Sequence, residues 1–248
     1  FSWPSWDILP QHEVDSLRAT MDEKDFLEQI GGTWQNMGGS AFYAFDREVN
    51  LRECHHDPKK TIFVACDFNV DPMGWALCHL TDDASGLEVF DEVWLTDTNT
   101  PRTLDTLWNR YGEKQKGGWW FYGDAASTQR HTSASQSDYA HIKNDKRFAA
   151  RVSFPKANPG RKDRASSCNA LLRNAAGVTR CWIDKKCVHL IADLEYLGLD
   201  NEGAPADGKS GDPLGHISAA WGYLVHLRWP STRIEQKSVG KIGIFHGE

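Results

Sequence analysis

The sequence predicts an α/β fold in which helices flank a mixed β-sheet, and three observations predict it. Residues 61–70 (TIFVACDFNV) form a nearly unbroken β-branched and apolar run, the pattern of a strand covered on both faces. Two more strand-like runs come directly after it, as in a meander. Beyond residue 100 helical and strand-like stretches alternate.

Taken in order, residues 1–41 open with aromatic residues punctuated by Pro4 and Pro10. Val14, Leu17, Met21, Phe26, Leu27 and Ile30 come next at roughly helical spacing, until Gly31, Gly32, Gly38 and Gly39 break the pattern. This stretch reads as a linker, or the tail of a preceding domain, with one or two short helices and no complete core. Residues 42–232 carry the main domain. After the strand at 61–70, strands at 75–80 and 87–95 flank the turn signal TDDASG. Residues 97–100 with Pro101 start a helix, on which Leu104, Leu107, Trp108 and Tyr111 share a face. Gly117 and Gly118 end it. WWFYGDAAS is then a strand running into a tight turn, with a helix at 137–146, a short strand at 151–154 and helices at 163–174, 187–197 and 214–227 beyond it. Residues 233–248 read as a tail.

Composition narrows the function classes. With 248 residues, 40% hydrophobic and 25% charged, the chain is neither disordered nor fibrous. No apolar run approaches the ~20 residues of a bilayer span, and the opening FSWPSWDILP lacks the basic and apolar regions of a signal peptide, so neither membrane insertion nor export is expected. The six cysteines form no CxxC pair, which points to a reducing cytosol without disulfides or structural zinc. A net charge of −6 argues against a generally basic nucleic-acid binder. Residues 141–164, however, hold eight Lys/Arg against two Asp, a local charge of +6 that leaves −12 elsewhere. Such a patch can hold phosphates on an acidic protein.

Two carboxylates stand out because each closes an apolar strand. Strand periodicity puts Phe63, Ala65, Asp67, Asn69 and Asp71 on one side, while Asp124 ends the WWFYGD strand behind Gly123. A buried, unpaired carboxylate costs several kcal/mol, so each acid needs a cation, a donor or solvent at the strand end. Hard divalent cations take such oxygen ligands, and two ions roughly 3.5 to 4 Å apart can split a phosphodiester between them. Asn69 and Asp71 are placed to orient a water or cap the turn.

The order FVACDFNVDPMGWAL, YGDAASTQR with the helix start SQSDY, CVHLIADLEYL and GDPLGHISAAWGYL resembles the nuclease domain of the large terminase subunit of tailed bacteriophages. GSAFYAFDREVN resembles that family's junction between ATPase and nuclease domains. The resemblance implies an RNase H-like fold and a metal-dependent endonuclease that cuts concatemeric double-stranded DNA in the host-cell cytoplasm, using Mg²⁺ or Mn²⁺. It implies as partners the ATPase domain of the same protein, a small terminase subunit and the portal. Asp67 matches the first catalytic acid and Asp124 the second. The family's last motif is a His followed three residues later by a metal-binding Asp; His216 is present, but position 219 is Ala219. Either the acid has been removed, or Asp212 supplies it. The expected metal residues are Asp67, which the resemblance places between the ions, Asp124 on one ion, and Asp212 or His216 near the other. Arg130, Lys143, Lys146, Arg147 and Arg151 are candidate DNA contacts, as are Lys156, Arg161, Lys162, Arg164 and Lys209. Another RNase H-like nuclease, such as a resolvase or transposase core, is the rival enzyme. A DNA-binding or motor-docking module with an impaired site is the rival without catalysis.

Other motifs carry less. Residues 203–210 satisfy GxxxxGK[ST], but no buried strand precedes them and Pro213 interrupts the next helical stretch, so a phosphate loop is not expected. Cys54-His55-His56-Asp57 reads as a surface loop. Ser127 and His131 lack an orienting third group. Trp94, Trp108 and Trp182 read as core.

Overall fold

The computed structural model describes residues 4–33, 39–128, 136–206 and 213–231. Its centre is a six-stranded sheet of order β5-β4-β1-β2-β3-β6. The strands are β1 (Ile62–Cys66), β2 (Met73–Leu80), β3 (Leu87–Leu95), β4 (Trp119–Tyr122), β5 (Arg151–Ser153) and β6 (Cys181–Ile183). β2 pairs antiparallel with both β1 and β3, whereas β1–β4, β4–β5 and β3–β6 are parallel. Every strand but β2 therefore ends at the same edge, where open α/β sheets gather their ligands.

Both faces of the sheet are covered, which explains the unbroken apolar run in β1. Phe63 and Ala65 face a core shared with α6 (Arg161–Leu172), α7 (Val188–Tyr196) and α8 (His216–Arg228). Ile62, Val64 and Cys66 face a second core built on α4 (Thr100–Leu107) and α5 (Asp138–Asn144). α4 starts as its sequence dictates: the Asn99 side chain accepts from Arg102 N, and Pro101 lies in the first turn. It continues into a wider turn over Trp108–Gly112.

Ahead of the sheet lie α1 (Gln11–Thr20), α2 (Glu23–Gln29) and the single-turn α3 (Arg47–Asn50). Val14, Met21, Phe26 and Ile30 make a small cluster of their own with Ala175 packed against it. Ala175 N donates to Met21 O (3.0 Å) and Asn174 Nδ2 to Ala19 O (3.0 Å), tying this segment to the turn after α6.

The sequence reading differs from the structure in three places. β1 stops at Cys66, and the chain turns back through residues 67–72 to enter β2. β6 and α3 were not expected, since three or four residues carry too little periodicity to read. The 54–57 stretch is no surface loop: Cys54 is buried, and His56 packs against the rings of His79, Phe90 and Tyr111. All six cysteines are free and buried. Among the described residues no helix is long and apolar enough to cross a membrane.

Candidate active site

Asp67 is the residue after β1, and its backbone is held from two sides. Its N–H donates to Gly74 O (3.2 Å), continuing the β1–β2 ladder, and its carbonyl accepts from Trp75 Nε1 (3.2 Å). On the other flank the parallel register pairs Ala65 with Tyr122. Two residues beyond that pair come Asp67 and Asp124, just past the ends of β1 and β4 and near enough for the Asp124 charge to raise the Asp67 pKa. Gly123 is needed here because a Cβ would lie 2.6 Å from Tyr139 Oη, whose hydroxyl donates to Asp124 O (2.9 Å). The Asp124 carboxylate accepts from Ser127 N (3.2 Å), which closes the turn at Ala126–Thr128.

The Asp67 carboxylate is aimed by two side chains. Asn69 Nδ2 donates to Oδ2 (2.8 Å), and His216 Nδ1 stands 3.2 Å from the same oxygen and 3.0 Å from Asn69 Nδ2. Oδ1 has no partner among the described residues, and the side chain is 19% exposed. Burial raises the Asp67 pKa above the usual carboxylate range, His216 and Asn69 oppose the rise, and the charge of Asp124 adds to it. Asp71 is exposed and makes no side-chain bond to this group among the described residues.

His216 opens α8, a helix with no side-chain cap of its own and a left-handed Gly215 (φ 95°) before it. The cap comes from α7. Asp193, fully buried, accepts Gly215 N on one oxygen and Ser218 N on the other, both at 2.9 Å. Burial raises its pKa, and those two backbone donors counter the rise. α7 is moored in the same way: Glu92 of β3 accepts His189 N (2.9 Å), Leu190 N (3.1 Å) and the His189 ring (2.7 Å). His189 stacks on Trp94 at 4.2 Å, and Trp94 meets His216 edge-on at 6.4 Å. The sequence reading missed Glu92 and Asp193. An acid on a core-facing position of an apolar strand or helix was the available signal.

No protein-family model and no curated protein sequence matches the chain. Solved structures do match. The large terminase of a thermophilic bacteriophage, in complex with ATP-gamma-S, aligns with a TM-score of 0.61 at 15% identity, over 88% of this chain and 52% of that one. The P22 large terminase nuclease domain aligns with a TM-score of 0.54 at 12% identity, over 79% of this chain and 96% of that one. The large terminase nuclease from thermophilic phage G20c gives a TM-score of 0.51 at 11% identity, over 77% and 100%. The chain has the fold of a large terminase nuclease domain. It spans about half the length of the ATP-gamma-S-bound large terminase that it matches.

On this RNase H-like terminase nuclease fold the expected residues separate into groups. Asp67, Asn69 and His216 meet, with Asp124 alongside. Ala219 instead faces α6: its carbonyl accepts Arg164 Nη1 (3.2 Å), and it lines a small cavity with Arg161, Arg164 and Cys168. Asp212, Arg130, Lys209 and His131 lie outside the described residues, as do the last four residues of the GxxxxGK[ST] stretch and the 233–248 tail. The cations of the basic segment differ in their partners. Arg147 is neutralised by Asp105 (2.7 Å) and Asp145 (2.6 Å), and Arg161 by Asp200 (2.8 Å). Lys162 lines a cavity of about 530 Å³ between α2 and α6. Lys143, Lys146, Arg151 and Lys156 are exposed on or near α5 and β5.

Two neighbouring carboxylates, one with a raised proton affinity and an oxygen free of protein donors among the described residues, suit a hard divalent cation in chemistry. They are two donors of a set: among the described residues no group of three His, Cys, Asp or Glu side chains converges to hold a metal.

Proposed function

We infer that this chain is the nuclease part of a phage DNA-packaging terminase and hydrolyses double-stranded DNA with Mg²⁺ or Mn²⁺, two ions being the expected complement. The observation that carries the reading is that Asp67 and Asp124 follow the ends of the paired parallel strands β1 and β4 in a terminase nuclease fold, the charge of one acting on the other. Asp67, Asp124 and Asp212 are the carboxylates that would hold the ions. His216 belongs to the metal site by holding the Asp67 carboxylate, a role that Asn69 shares. When bound, a divalent cation supplies Lewis-acid stabilisation of phosphate charge and a more acidic water. The protein's own contribution is positional. Asp193 fixes the start of α8, Trp94 braces His216, and Asn69 and His216 hold Oδ2 of Asp67 while Oδ1 has no protein partner among the described residues.

Cations without carboxylate partners hold the DNA backbone, so affinity is salt-dependent and nearly indifferent to sequence. The choice of cut site then falls to the partners that the family resemblance implies: the ATPase domain, a small terminase subunit and the portal, in the host-cell cytoplasm. Supercoiled plasmid incubated with Mn²⁺, Mg²⁺ or EDTA tests the reading. Cleavage with either metal and none with EDTA is expected; intact plasmid under all three conditions would sink it. Ala219 favours one second reading, a DNA-binding or motor-docking module with an impaired site, and intact plasmid that is still retarded on a gel would select it. A strong preference for four-way junctions over plasmid would move the chain to the resolvases.

A further inference from the structure

Trp120, Tyr122 and Asp124 share one face of β4 by the strand period, so the path from the candidate active site along β4 is lined by rings. There a groove of about 630 Å³ lies between the sheet edge and the end of α8, lined by Trp120, Tyr122, Val152, Ser153, Phe154 and Arg228. Three features set it apart from the rest of the surface. The first is Phe154, a large apolar ring left 38% exposed where β5 ends. One side of it rests on Tyr139 (4.7 Å), the residue whose hydroxyl holds the Asp124 carbonyl.

The second feature is charge. Arg228 reaches over Phe63 (4.9 Å) and Trp120 (5.8 Å), donates to Tyr122 Oη (3.1 Å), and has a buried Nε without a partner among the described residues. Arg151 lies over Trp120 (5.5 Å), and Lys143 Nζ is 6.0 Å from the Phe154 ring. The third is the absence of neutralisation. Among the described residues no carboxylate comes within ion-pair distance of Arg228, Arg151 or Lys143, whereas Arg147 and Arg161 are both paired. Guanidinium groups anchored on rings and left without carboxylates match an anion, and a chain of phosphates supplies one at each step. An exposed ring among them matches the flat face of a base. A closed duplex keeps its base faces stacked inside; only an unpaired or extruded nucleotide offers one.

We propose that this groove holds an unpaired stretch of the DNA strand leading away from Asp67 and Asp124, with a base against Phe154 and phosphates against Arg228 and Arg151. The proposal rests on the nuclease reading and adds that the duplex opens beside the cut.

The test is fluorescence anisotropy of the 248-residue chain in EDTA with three labelled DNAs of equal length. These are a thymine oligonucleotide, a blunt duplex and a duplex with an internal unpaired loop. The single strand and the looped duplex are expected to bind about tenfold more tightly than the blunt duplex, the scale of one base–aromatic stack. Phe154→Ala removes that preference and leaves duplex binding alone, Phe154→Trp keeps it, and Arg228→Gln lowers the salt dependence by about one phosphate contact. Equal affinity for all three DNAs, or a preference that survives Phe154→Ala, overturns the proposal. Because the readout needs no metal, it separates the two claims. Preference without plasmid cleavage in Mn²⁺ sinks the nuclease reading alone, and cleavage without preference sinks the groove alone.

Discussion

Asp67 and Asp124 sit at the ends of two strands; Asp22 and Asp25 sit within one turn at the start of α2. In both places burial and a neighbouring acid raise a carboxyl pKa, and Asp22, 1% exposed, is pushed up to about 7. The partners differ. Asp22 Oδ1 accepts Asp25 N (3.0 Å) and the Tyr43 hydroxyl, so the acid is consumed as the cap of its own helix. Asp67 is aimed by residues 69 and 216, and one of its oxygens stays open. A raised proton affinity alone therefore does not mark a site. Access does: Asp22 Oδ2 also lacks a partner among the described residues but is sealed from solvent, whereas the Asp67 side chain, aimed by Asn69 and His216, is 19% exposed.

Four substitutions break or sharpen that contrast. Asp67→Asn keeps the shape and removes the charge, and should lower metal-dependent plasmid cleavage by about a thousandfold or more, several kcal/mol of transition-state stabilisation. Circular dichroism should show the fold unchanged; cleavage within tenfold of the parent would count against the strand-end pair. Asp193→Ala orphans two buried backbone N–H groups and should cost about 3 to 5 kcal/mol in urea denaturation, since each charge-assisted bond carries about 1.5 to 3 kcal/mol. A loss below 1 kcal/mol would mean that α8 is capped by other means.

Asp22→Asn tests the opposite kind of acid. The folded chain keeps the Asp22 proton up to about pH 7, while the unfolded chain releases it near the ordinary value of 3.8, so wild-type stability falls as pH rises through that window. The amide cannot ionise. The variant should be more stable than the parent by about 1 to 2 kcal/mol at pH 8 and indistinguishable from it at pH 4; a gain independent of pH would show that Asp22 is already charged. The smallest effect belongs to Ala219→Asp. Facing Arg164, the new acid should form a partly exposed ion pair and change stability by no more than about 1 kcal/mol, leaving cleavage unchanged. A tenfold rise in cleavage would instead place position 219 on the ligand side.

The sheet was largely legible because β1, β2 and β3 carry long apolar runs bounded by turn residues, and α4 carries a cap and a proline. β6 was not legible: three residues pair with β3 because tertiary packing places them there. At the site, Asp67 and Asp124 could be found because an acid is conspicuous at the end of an apolar strand. That Asn69 and His216 converge on a single oxygen depends on the docking of a helix 149 residues further on, which local pattern does not encode. The same limit hid the two kinds of arginine in the chain. Arg147 and Arg228 look alike in sequence, and only folding gives one its carboxylates and the other its rings.

α8 borrows its cap from α7, and α7 borrows its own from β3. The imidazole beside Asp67 thus hangs at the end of a relay in which each helix must dock before the next can be seated. Assembly of that corner should come last on refolding, and amides at the start of α8 should exchange with solvent before those of β1 do.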